Sequence, residues 1–255
     1  MLAIPVVEAV DEAIAINERS ALGLTELLLK NSRRVDFLVR DETWQADLIP
    51  RFLGIAVTSF SVFSLALAII LSLVPTDYLP NVLRDAWQRN PTRAGFSLGL
   101  AYVLGLIAAT GVCLPSFYFY GLLSGVRITV LQVTTQIMEG MAATALMLIG
   151  LLPIYVAYVL GLIVFGAPSS TLLPMIYCGL GLPFLAGVWG LRTIYRGFMQ
   201  LADTLPPERR CRRQCFLRRL TLACTACYSA VTPVMIYTLW NTFSTSTWWD
   251  GIFRC

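Results

Sequence analysis

Long apolar runs alternate along the chain with shorter polar stretches, and five of the runs are long enough to cross a bilayer: residues 52–74, 95–120, 141–165, 172–191 and 217–240. About 20 apolar residues rising ~1.5 Å each cover a hydrocarbon core of ~30 Å. None of the fifteen acidic residues falls inside a run. The pattern predicts an all-α membrane protein with a cytoplasmic segment (1–51), a five-span transmembrane domain (52–240) and an external tail (241–255).

The polar stretches have their own periodicity. Between Pro5 and Leu29, Val7, Val10, Ile14, Leu24 and Leu28 recur near helical spacing with acids between them, which predicts a partly amphipathic cytoplasmic helix. Glu8, Asp11 and Glu12 precede the first basic residue, Arg19, an order opposite to that of a cleaved signal peptide. Residues 76–93, between the first two runs, read as a loop of mixed polarity. Between the second and third runs, Gln132, Thr135, Gln136 and Glu139 share a polar arc, while Val130, Val133 and Ile137 share an apolar one. This predicts an amphipathic interfacial helix over 126–139, carrying Arg127 and lying on the cytoplasmic surface, with a re-entrant element as the alternative.

Inside the runs, Pro153 predicts a kink in the third span, and Pro174, Pro183 and four glycines predict bending or tight packing in the fourth. Gly95 and Gly99 form a small-xxx-small pair suited to close helix approach. Thr221, Thr225, Ser229 and Thr232 lie along one face of the fifth span. They read as a packing stripe of small hydroxyls or, more sharply, as part of a polar permeation path.

Composition agrees with the class: 57% of residues are apolar and only 13% charged, against about 25% charged in soluble domains. The nineteen Lys and Arg residues split fifteen to four in favour of a cytoplasmic N-terminus and an external C-terminus. Arg209, Arg210, Arg212 and Arg213 sit in the basic linker 192–219, where they mark topology and attract anionic lipid of the bilayer. Basic residues placed in this way are a topology signal and not a nucleic-acid-binding face. The chain has no histidine, which removes the commonest general base and metal ligand, so neither enzymatic activity nor a cofactor is expected. CRRQC (211–215) and CTAC (224–227) offer four thiols, but residues 215 and 224 are about 13 Å apart in a helix. The thiols therefore read as small apolar fillers and not as a metal site.

CLPSFYFYGLLSGVRITVLQ from Cys113, LMLIGLLPIYV in the third run, GLRTIYRG after the fourth and WWDGIFR near the end resemble segments of an uncharacterised family of bacterial multi-pass inner-membrane proteins, over roughly residues 95–254. In span count and cytoplasmic N-terminus the chain is also loosely similar to Yip-domain membrane-trafficking proteins. The resemblance implies the architecture and a bacterial inner-membrane location and supplies no catalytic residues. The expected function is that of a non-enzymatic anchor or organiser for another membrane or cytoplasmic protein. The alternative is a channel or transporter using the kinked third and fourth spans and the hydroxyl stripe of the fifth.

Overall fold

The computed structural model describes residues 21–30, 35, 39, 44–123, 129–202 and 207–245, which form seven α-helices and one 3-10 turn. The helices are α1 (Ala21–Lys30), α2 (Gln45–Leu73), α3 (Asn81–Arg89), α4 (Pro91–Leu123), α5 (Val130–Val164), α6 (Ser169–Ala202) and α7 (Pro207–Thr245). Four contain stretches long and apolar enough to cross a membrane: Gln45–Leu73, Pro91–Phe119, Val130–Val164 and Ser169–Gly197. The protein is an all-helical, multi-pass membrane protein. Leu65, Ile69 and Leu73 recur every four residues on the exposed side of α2, an apolar face that suits lipid.

Local chemistry sets the helix ends. Pro91 occupies the first position of α4, where its missing N–H costs nothing, and the Asn90 side chain accepts from the Arg93 amide at 3.0 Å. The Thr129 hydroxyl accepts from the Gln132 amide at 3.2 Å and starts α5. After α5 the chain reverses at Gly166, whose φ of 63° lies in the left-handed region. There the amides of Gly166 and Ala167 donate to the carbonyls of Ile163 and Leu162, closing the helix before Pro168.

The five long helices pack in a ring in the order α2, α4, α7, α6, α5. Gly95 and Gly99 allow α4 to approach α2 at Ala68 and Ser64, so this small-residue pair serves contact within the chain. At Gly105, an added Cβ would lie 2.7 Å from the Ile236 side chain, which marks the close crossing of α4 and α7. Phe63 meets Tyr102 edge-on at 6.3 Å between α2 and α4.

Two short elements cover opposite ends of this ring. At one end, α1 lays Leu24 and Leu27 against Leu48, Phe52 and Ile55 of α2 and Ala142 of α5. Gln45 holds the preceding segment there by donating to the Val39 carbonyl at 3.0 Å. On the exposed side of α1, Lys30 and Glu26 pair at 2.6 Å, and the hydrogen bond, reinforced by the charge, holds the Glu26 carboxyl below its ordinary range. At the other end lies α3, in the stretch expected to be a loop. Leu79, Leu83 and Trp87 recur at four-residue spacing and are all buried, and Trp87 stacks on Trp240 of α7 at 6.3 Å. Arg84 ties the 3-10 turn (Thr76–Tyr78) to α3 by donating to the carbonyls of Asp77 and Leu79.

The interfacial helix requires a correction. Residues 130–139 are the first turns of α5, continuous with the third span. Thr135, Gln136 and Glu139 of the expected water-facing arc are buried, as are Val133 and Ile137, whereas Val130 and Leu131 are exposed. Gly140, within this continuous helix, is a contact point against Ile194 and Gly190 of α6. Glu139 is accordingly an acid buried inside a membrane-spanning helix, contrary to the expectation that all fifteen acids stand in loops and tails. Arg127 lies outside the described residues.

Candidate functional site

The antiparallel seam between α5 and α6 is built on four glycines, Gly140, Gly179, Gly190 and Gly197, and it frames the candidate site. Gly190 of α6 rests on the Gly140 carbonyl and the Thr144 hydroxyl of α5, where any side chain would collide. One turn back, Gly140 leaves room for Ile194. At one end of the seam Gly179 faces the Tyr155 hydroxyl; at the other, a Cβ on Gly197 would come within 2.9 Å of the Gln136 side-chain nitrogen. Small residues let backbones approach in lipid, where helices gain no hydrophobic advantage from touching one another. Two tyrosines tie α6 to its neighbours. Tyr102 of α4 donates to the Leu180 carbonyl at 2.9 Å, within one turn of Pro183, and Tyr155 to the Met175 carbonyl at 3.3 Å, next to Pro174.

Beside the seam, α4, α5, α6 and α7 line a cavity of about 80 Å³, which has room for a few water molecules. Its polar lining is made of hydroxyls: Thr110, Thr144, Tyr228, Ser229 and Thr232. The protons of three of them are used within their own helices. Thr110 donates to Leu106, Thr144 to Gly140 and Thr232 to Tyr228, at 2.9, 2.9 and 2.7 Å. The Tyr228 hydroxyl meets that of Thr110 on α4 and that of Thr232 one turn along its own helix. Leu106, Phe117, Ile137 and Met141 supply an apolar remainder. Cys113 also lines the space, and its thiol meets that of Cys227, both being free.

Next to the cavity, toward the end covered by α1, lie Gln136 and Glu139, with 4% and 3% of their surface exposed. The Gln136 carbonyl oxygen has no hydrogen-bond partner among the described residues. Buried polar groups of this kind in a membrane helix are costly and commonly functional.

The residues singled out in the sequence divide as follows. Thr232 and Ser229 line the cavity, while Thr221 and Thr225 have side chains outside the described residues. Pro153 is exposed, α5 continues through it, and it takes no part in the cavity lining. Gln132 is half-buried on the same helix side as Gln136. Arg209, Arg210, Arg212 and Arg213 lie on the first turns of α7, their side chains outside the described residues. Thr110, Thr144 and Tyr228 were missed by sequence reasoning. An isolated hydroxyl in an apolar run carries no local signal until its neighbouring helix is known. Among the described residues, no three His, Cys, Asp or Glu side chains converge as a metal site. No protein-family model matches the chain, and no curated protein or solved structure matches it.

Proposed function

We propose that this chain is a non-enzymatic, five-span protein of a bacterial inner membrane that anchors or organises a protein partner at its cytoplasmic face. Helix α7 supplies the fifth span: its 39 residues extend ~58 Å, and it runs beside α4. The 15-to-4 distribution of basic residues supports a cytoplasmic N-terminus and an external C-terminus.

The observation that carries this reading is the seating of α1. One face of the helix is locked onto α2 and α5 through Leu24 and Leu27, while Leu22 and Leu29 on the other face are 84% and 70% exposed. A short helix packed against the bundle by one face, with large apolar side chains turned outward on the other, is a ready docking surface for a partner helix. Purification in mild detergent tests it. A stoichiometric protein should accompany the unaltered chain and be lost from the Leu22→Glu, Leu29→Glu double variant; its absence across several detergents would overturn the reading.

A second reading, a channel or proton-coupled transporter, is favoured by Glu139 and Gln136 lying beside the hydroxyl-lined cavity. A space of about 80 Å³ with so much apolar lining is far from a path across ~30 Å of hydrocarbon, which places it second. Proton flux into proteoliposomes that disappears in Glu139→Gln would reverse that order.

A further inference from the structure

At the end of the bundle opposite α1, polar stripes from three helices converge on one open cavity of about 340 Å³. Asn81, Asp85 and Arg89 recur every four residues along α3, Asn90 and Arg93 lie at the start of α4, and Asn241 lies near the end of α7. The charged side chains around the cavity are Arg89, Arg93 and Asp85.

The cavity opens at an end of the bundle, where the long apolar helices give way to polar residues. Trp240 lines it and stacks on Trp87, the two buried rings closing the core beneath it. The cavity lies beyond the last apolar turn of α2 and at the first turn of α4. The positive end of the 33-residue helix α4 therefore adds to the potential of the arginines. Guanidinium groups present planar forks of donors that match phosphate oxygens. Asp85 leaves the cavity with one positive charge in excess, which balances the single negative charge of a phosphodiester better than the two of a phosphate monoester.

We propose that this cavity binds a phosphodiester group at the membrane surface, carried by a phospholipid headgroup or by a soluble glycerophosphodiester. It is independent of the α1 docking face and stands whether or not a protein partner binds there.

The test uses the full chain in detergent and follows thermal unfolding as dihexanoyl-phosphatidylglycerol, below its micellar concentration, or glycerophosphoglycerol is titrated. The short-chain lipid should raise the Tm saturably in the unaltered protein and in Arg192→Gln, a control at the opposite end. Arg89 is exposed, so Arg89→Gln should fold normally and bind about tenfold more weakly. Arg89→Lys, which keeps the charge and loses the fork, should fall between and serves if Arg89→Gln does not fold. Binding of both compounds means that the headgroup alone is recognised. Binding of the lipid only means that the chains contribute and that the source is the bilayer. Either result supports the site. No saturable shift with either compound, or equal affinity in the Arg89 variants, would overturn it.

Discussion

Gly181 and Gly190 stand on the same helix under opposite conditions. Around Gly181 an added Cβ would meet nothing within 4 Å, whereas at Gly190 it would run into the backbone carbonyl of Gly140 and the hydroxyl of Thr144. A backbone carbonyl cannot rotate away. Gly190→Ala is therefore expected to cost about 1–3 kcal/mol through forced separation of α5 and α6. Gly181→Ala should be neutral, or stabilise by up to ~1 kcal/mol through helix propensity. Thermal unfolding of the two variants in the same detergent checks the pair, and equal effects would contradict the seam. The four glycines of the fourth run signalled tight packing in general. Which of them is indispensable depends on residues some fifty positions away.

The first three turns of α5 show the same limit for a whole element. Its polar arc was legible from spacing, yet an amphipathic helix on a membrane and a helix packed among others can share one pattern, and periodicity alone does not say which solvent the arc meets. The α6 extension to Ala202 and the α1 cap provide protein on both sides of these turns, and the arc is inside. Gln132 and Gln136, one turn apart on that arc, give the test. In a background with the seven native cysteines replaced, Gln132→Cys should react several-fold faster with a water-soluble maleimide than Gln136→Cys. Equal rates would return the segment to the membrane surface. Helix α3 is the converse case: the buried residues Leu79, Leu83 and Trp87 fall in a short stretch whose mixed polarity reads as a loop.

For the whole molecule, the decisive relation is that α1 and the α3 cavity occupy opposite ends of a bundle whose helix α2, at 29 residues, is ~43 Å long. Leu22→Cys and Gln88→Cys, each in the cysteine-free background, should be labelled from opposite sides of sealed vesicles by a membrane-impermeant reagent, Leu22→Cys from the cytoplasmic side. Labelling of both from one side would refute the crossing of α2. The sequence by itself determined the class and the apolar centres of the long helices, because run length acts locally along the chain; the helices extend beyond those runs, α5 back to Val130 and α6 on to Ala202. Only the tertiary structure decided that Gly190 meets Gly140, that Glu139 lies inside, and that stripes on α3, α4 and α7 share one cavity. Within a bilayer every helix is surrounded by apolar material, so hydrophobicity does not select its neighbours. Steric fit between distant small residues and the pairing of buried polar groups make that selection, and neither is written in local periodicity.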